Sequence, residues 1–268
     1  MPRLIAITDP DDPRIAGYRD IRERDLVGRE GRFVAEGEVV LRALARGGLH
    51  RPSSVLIAEK RLAKLAPVLG AFADDLPVYL AAQAVMDAVT GFPLHRGILA
   101  MGERGPALDA DALLAGAPAR SIVVCLFGLA NHDNIGGVFR GAAAFGARAV
   151  LLDQTCGDPL YRKAIRVSVG AALTLPFARF APGADPIDAL AARGFEPIAL
   201  SPTGGEPLHA MAPPERAALL LGTEGPGLPA DLLARARRVS IPMAGAWDSL
   251  NVASAAAVAL HHLRFAVG

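Results

Sequence analysis

Short apolar runs alternate with polar or amphipathic stretches along most of the chain, the pattern of an α/β protein. In the first hundred residues the spacing predicts helices at Arg14–Asp25, Glu38–Arg46, Lys60–Ala71 and Ala82–Val89. Strands are predicted at Arg32–Ala35, Ser54–Ala58, Pro77–Leu80 and Gly97–Met101. Together these describe a small α/β domain over residues 1–104. Residues 105–120 hold Gly105, Pro106, Gly116 and Pro118 among alanines, the composition of a linker that contains a helical turn. From residue 121 to 268 a second domain is expected, with strands at Ile122–Leu126, Ala149–Leu152, Leu173–Phe177, Pro197–Leu200, Ala217–Leu221 and Arg238–Ile241. Such near-continuous apolar strands, separated by helices, predict a mainly parallel six-stranded sheet covered on both faces. Ligands of such sheets bind beyond the strand C-termini, which singles out the loops after Leu126, Leu221 and Ile241.

Composition narrows the class. The chain has 268 residues, 52% apolar and 21% charged, which excludes a disordered tail and a disulfide-stapled scaffold. Mean hydropathy is +0.33, yet the apolar runs stop well short of the ~18 residues of a membrane span. Cys125 and Cys156 are not in a CxxC pair, so neither a zinc site nor a disulfide framework is expected. No apolar leader segment precedes Asp12, and a cytoplasmic protein without a metal or a membrane partner is the expectation. Formal net charge is +1, but residues 14–64 carry twelve Lys or Arg against seven Asp or Glu. That local excess fits a solvated arginine-rich surface or an RNA-facing patch equally well.

The chemistry lies in three loops. In the first, Asn134 is placed to cap a helix and Arg140 follows about 1.7 turns later, among small residues that permit close backbone contact. Taken alone, Asn134 reads as a cap and Arg140 as a surface ion pair. The second, Leu221-Gly222-Thr223-Glu224-Gly225-Pro226-Gly227, sets three glycines around one carboxylate, for a tight turn or for a cofactor lying against the backbone. Gly225, Gly227 and Ala230 match GxGxxA literally, but fewer than forty residues follow, too few for a dinucleotide half-fold. In the third, Asp248 or Ser249 can cap the final helix. Ser249 and Asn251 then place polar groups beside a helix N-terminus, where polar or anionic ligand groups are favoured. The small-residue face of Val252–Val258 is a packing surface for a helix or a second protomer.

Taken in order, NIGGVFRGAAAFG, LLLGTEGPGLP and IPMAGAWDSLNVASAAA resemble the three motifs of the SpoU (TrmH-type) RNA ribose 2′-O-methyltransferases, over Ser121 to about Leu263. The stretch GREGRFVAEGEVVLRALARG is similar, more loosely, to the substrate-binding domain often found before that catalytic domain, an α/β module like RNA-binding ribosomal proteins. The resemblance implies S-adenosylmethionine as methyl donor, ribosomal or transfer RNA as acceptor, a homodimer formed through the catalytic domain, and a C-terminal trefoil knot. Carried over residue by residue, it implies catalytic roles for Asn134, Arg140, Glu224, Ser249 and Asn251; a mechanism in which Arg140 binds a phosphate or polarises the hydroxyl oxygen has Glu224 organise the arginine. It implies cofactor contacts at Gly222, Ile241 and Leu250, with Leu200 and Met243 as further wall residues. Two departures are Asn131-His132-Asp133, in place of an acidic-proline lead, and the bulky Trp247; His132, a lone loop histidine, is left outside the site. Alternatives are an RNA-binding member of the fold that has lost catalysis and a knotted enzyme that methylates a base.

Overall fold

The structure, a computed structural model, describes residues 2–19, 23–91, 93–94, 96–202, 204–245 and 249–266. Strands and helices run β1 (Arg3–Ile7), α1 (Glu23–Gly28), β2 (Arg32–Glu36), α2 (Glu38–Ala45), β3 (Arg51–Ala58), α3 (Leu62–Leu69), β4 (Pro77–Ala81), α4 (Gln83–Thr90) and β5 (Ile98–Glu103). They continue with α5 (Ala110–Ala115), β6 (Ser121–Leu126), α6 (His132–Ala144), β7 (Ala149–Leu152), α7 (Arg162–Val167), α8 (Ala171–Thr174), β8 (Phe177–Arg179) and α9 (Pro186–Ala191). The last are β9 (Glu196–Leu200), β10 (Glu206–Pro207), β11 (Arg216–Leu221), α10 (Ala230–Arg235), β12 (Arg237–Ser240) and α11 (Val252–Phe265).

Two compact units result. One comprises Met1–Pro106 and Asp158–Thr174, the other Ala107–Gly157 and Leu175–Gly268. The first holds a five-stranded mixed sheet in the order β1-β4-β3-β5-β2, in which β5 is antiparallel to both neighbours. Strand β1, absent from the expected elements, pairs with β4 from Arg3 opposite Pro77 to Ile7 opposite Ala81. Segment 158–174 is tied into this unit by ion pairs of Arg104 with Asp158 and of Arg162 Nη2 with the buried Glu36 Oε2, at 2.9 Å. Breaking the second would leave a carboxylate buried without its full set of partners.

In the second unit the sheet is wholly parallel, in the order β10-β12-β9-β11-β6-β7-β8. Seven strands replace the six expected, because the two-residue β10 is too short to show an apolar run. The strand expected at Leu173–Phe177 is also corrected. Ser168 Oγ accepts the Ala172 N–H at 3.2 Å and starts the short helix α8, so the strand begins only at Phe177, past Pro176. Central β6 and β7 are buried along their whole length, as two-sided coverage requires. Inside the expected linker, Asp109 caps α5 by accepting the Ala112 N–H at 2.8 Å.

Helix α11 packs along α6 through small residues on both. A Cβ added to Gly137 would lie 2.6 Å from Ala253 Cβ, whereas one on Gly141 would reach Ala257 at an ordinary 3.8 Å. The small face of the final helix therefore seats on α6 of the same chain. Replacing Gly141 by Ala is expected to leave stability unchanged or raise it by up to ~1 kcal/mol, since helix propensity improves and nothing clashes. Gly137→Ala gains the same propensity but must push α11 away, and a net loss of ~1–2 kcal/mol is expected from urea melts.

In the first unit His50 Nδ1 accepts the Gly105 N–H at 3.2 Å, and the ring packs edge-on against Phe33. Burial, helped by the positive Arg104, pushes the imidazole down to about 4. The unfolded chain takes up a proton near pH 6.5 that the folded chain refuses. The stability contributed by neutral His50 is therefore complete above pH 6.5 and lost as pH falls toward 4. Urea midpoints measured from pH 7 to pH 5 should fall less steeply for His50→Asn, which keeps an acceptor for Gly105 but cannot titrate. Equal slopes would contradict this assignment.

Candidate active site

Parallel register sets the frame. Leu126 of β6 lies opposite Leu221 of β11, Leu220 of β11 opposite Ala199 of β9, and Leu200 of β9 opposite Val239 of β12. The four strands therefore end together, about 4.8 Å from one to the next. Leu200, Gly222 and Ile241 lie at the ends of adjacent strands, and Leu200, Ile241 and Met243 are half-buried. Leu250 is 41% exposed just before α11.

Helix α6 is capped by Asn131, whose Oδ1 accepts the Asp133 N–H at 2.8 Å; the capping role expected of Asn134 falls three residues earlier. That frees Asn134. It sits in the first turn, 7% exposed, and donates Nδ2–H to Glu224 Oε1 at 2.9 Å. At the start of α11 the cap is Asn251, not Ser249, and Asp248 lies outside the described residues, as does Trp247. Asn251 Oδ1 accepts the N–H groups of Ala253 and Ser254 at 3.0 and 3.4 Å. Its Nδ2 donates to Asn134 Oδ1 at 2.8 Å and to Glu224 Oε1 at 3.3 Å. Three residues separated by 90 and 27 positions in the chain thus meet in one hydrogen-bonded triad. Two helix N-termini face the Glu224 carboxylate, a placement their dipoles favour.

Glu224 stands on a turn closed by Thr223 and Gly227, each donating its N–H to the other's carbonyl at 3.3 and 3.1 Å. What approaches Gly222 is that same turn: a Cβ there would lie 2.3 Å from the Gly227 carbonyl carbon. Its glycine is required by loop closure, and any ligand contact at Gly222 is made through main-chain atoms.

The structure does not bring Arg140 into the triad. Six residues beyond Asn134, it lies ~9 Å along α6 and ~240° around it. It is exposed, and among the described residues it makes no hydrogen bond or ion pair. Glu224 thus engages the two asparagines, and within the chain no hydrogen bond or ion pair joins it to Arg140 among the described residues. Ser249 is exposed and makes no hydrogen bond among the described residues. His132 opens α6 beside Gly157, and no part of the triad is built on it.

A fourth loop, not singled out by the sequence, braces the other three. Asp153, directly after β7, accepts the N–H groups of Gly128 (2.9 Å), Thr155 (3.0 Å) and Cys156 (2.8 Å) and the Thr155 hydroxyl (2.8 Å). Burial raises its pKa, but these bonds outweigh burial and hold the carboxyl below its ordinary value. Gly128, with φ at +70°, packs on Thr223, so the carboxylate of Asp153 supports the turn that carries Glu224. Arg179 closes the loop from β8, donating to the Asp153 and Cys156 carbonyls at 2.5 and 2.9 Å. Burial and the nearby Asp153 push the Cys156 thiol up to about 12, so it is no nucleophile. An Asp at a strand end, two residues before Thr155, is an Asx-turn signal and could have been read.

Residues 121–261 match the SpoU rRNA Methylase family. An uncharacterized tRNA/rRNA methyltransferase of Mycobacterium bovis is 40% identical over 95% of this chain and 90% of its own. A solved RNA 2′-O ribose methyltransferase is 27% identical, with a TM-score of 0.75 over 97% of this chain and 98% of that one. An AdoMet-bound rRNA methyltransferase from Sinorhizobium meliloti, at 24% identity and a TM-score of 0.78 over 97% of both chains, shares the fold. With the three motif loops converging at one end of the parallel sheet, the chain belongs to the SpoU rRNA Methylase family of RNA methyltransferases.

Proposed function

We propose that the protein transfers a methyl group from S-adenosylmethionine to a ribose 2′-hydroxyl of ribosomal or transfer RNA. The observation that carries this reading is the Asn134–Glu224–Asn251 triad, which joins the three motif loops into one site. The methyl donor suits the residues present. Leu200, Ile241, Met243 and Leu250 offer apolar surface beside main-chain groups at Gly222, a wall for an adenosine and an aliphatic chain. When bound, S-adenosylmethionine supplies an electrophilic methyl on a sulfonium, which needs no metal. The sugar hydroxyl must be held in line and relieved of its proton. Correct placement alone is worth up to ~7–11 kcal/mol in favourable intramolecular models. The hydroxyl proton passes to water or to a phosphate of the acceptor rather than to Arg140. The arginine's role is to bind an acceptor phosphate or polarise the hydroxyl oxygen, with Ser249 adding a hydroxyl contact at the loop edge.

The wider expectations belong to this reading. The first unit, built on residues 1–104, binds the substrate RNA, and the second, within 121–268 and with much of the expected 105–120 linker packed into its core, catalyses. A trefoil knot in the catalytic domain is supported by the order of β9, β11 and β12, in which β11 passes to one side of β9 and β12 returns to the other. A homodimer is supported by Arg140, exposed and turned from the triad of its own chain, and by the exposed Val258 on α11. Two buried, unpaired cysteines fit a cytoplasmic location.

The test is transfer of radiolabelled methyl from S-adenosylmethionine into RNA, followed by nucleoside digestion and mass spectrometry. Methyl on the sugar is expected; methyl on a base, or none with any ribosomal or transfer RNA, would overturn the reading. Arg140→Ala should reduce turnover at least ~10²-fold with donor affinity kept within a few-fold. Arg140→Lys separates charge from fork geometry, with little turnover expected where the planar fork matters, and turnover near wild type in Arg140→Ala rejects the assignment. Glu224→Ala removes the acceptor shared by Asn134 and Asn251 and should lower turnover by ~10²-fold through misplacement of the loops. Glu224→Gln, which can still present an oxygen, should lose ~10-fold or less.

A further inference from the structure

The end of the second unit opposite the candidate active site holds a cavity of about 220 Å³. Because the sheet is parallel, the residues that precede β6, β7 and β11 share one edge there. Arg120, Arg148 and Glu215 are those residues, and Arg264 joins them from the last turn of α11; all four line the cavity. Three arginines thus line one space with a single carboxylate, the Arg148 guanidinium lying against α5, where its Nε donates to the Leu113 carbonyl.

Apart from Arg140, several other arginines of this unit are matched. Arg193 pairs with Asp111, Arg235 with Asp185 and Asp188, and Arg237 with Glu196 and Glu206. Arg179 and Arg216 donate to main-chain carbonyls. Arg120 and Arg264 have no ion pair or hydrogen bond among the described residues, and Arg148 has one hydrogen bond, from Nε to the Leu113 carbonyl at 3.0 Å. The wall also includes Ser121, 6% exposed, whose hydroxyl has no partner among the described residues. Three like charges set against one carboxylate leave a positive excess that favours an anion.

We propose that this cavity binds a phosphate group, gripped by Arg120, Arg148 and Arg264, with Glu215 accepting a hydrogen bond from a hydroxyl of the ligand. Guanidinium matches phosphate with two parallel hydrogen bonds, and three such groups suit a dianion. The volume lies below the ~300–1,000 Å³ of drug-sized pockets and suits a phosphate or a sugar phosphate. The phosphate comes either from a free ester or from the backbone of an RNA, and the site does not depend on the methyl-transfer reading.

The experiment uses the full chain and the double variant Arg120→Gln/Arg264→Gln. Both residues are exposed, and Arg148 is spared because its Nε holds Leu113. Thermal melting checks that the variant is folded. Calorimetric titrations with inorganic phosphate and with ribose 5-phosphate at low ionic strength are run beside RNA binding across a salt series. Saturable phosphate binding weakened at least 10-fold in the variant identifies a free-ester site. No binding of either small probe, with RNA affinity down at least 10-fold and a salt slope smaller by about one, identifies a backbone contact. Unchanged behaviour in both arms overturns the proposal. A folded Arg120→Lys/Arg264→Lys protein should fall between the two, since it keeps the charge and loses the fork.

Discussion

The site depends on how closely α6 and α11 can approach. Gly137 and Gly141 on one helix face Ala253 and Ala257 on the other, small residues four apart along each. One helical turn is 3.6 residues, so each pair forms a stripe, and side chains of ordinary size there would hold the axes at the usual ~8–10 Å or more. Both helices begin at the strand C-termini, and their closeness allows the Asn134 and Asn251 side chains to bond directly at 2.8 Å. Packing at positions with no chemistry of their own sets the precision of the site.

Much of this was legible, unevenly and for physical reasons. Strands β6, β7, β9, β11 and β12 are short apolar runs bounded by polar residues, so periodicity located them to within a residue or two. The family resemblance located Asn134, Glu224 and Asn251, and the register shows why they meet. Strand β1 was missed because RLIAI carries charge at its start and stays largely exposed at a sheet edge. The return of 158–174 to the first unit could not be read either, since it rests on partners such as Glu36 and Arg162, 126 positions apart. Asparagine chemistry misled locally. Asn131, Asn134 and Asn251 are all plausible caps, and which of them caps depends on where each helix starts, a boundary that periodicity does not resolve.

Charge follows the same rule. The positive excess of residues 14–64 fits a solvated surface or a patch equally well by sequence, and many of those cations are matched. Arg14 pairs with Asp12, Arg19 with Asp11, Arg42 and Lys64 with Glu38, and Arg51 with Glu103. These exposed pairs add little stability, but they reduce the field available to an anion. A near-neutral total, with 28 basic against 27 acidic residues, likewise hides the few arginines that carry no counter-charge. On the proposed reading, anion recognition rests on individual side chains such as Arg140, and substituting one of them weighs more than a change in net charge.

Polarity within the triad runs in one direction. Asn251 has to turn its Oδ1 toward the free N–H groups of α11, because its amide nitrogen there would set donor against donor. Its Nδ2 must therefore donate outward, which fixes Asn134 with its oxygen toward Asn251 and its own Nδ2 pointing away. That nitrogen needs an acceptor. An ionised carboxylate accepts in every orientation, whereas an amide at the same position would be correct in one of its two flips. Backbone N–H groups at one helix end thus dictate, through two amides, an acidic residue on a turn 27 positions earlier. The identities of Asn251, Asn134 and Glu224 follow as one requirement.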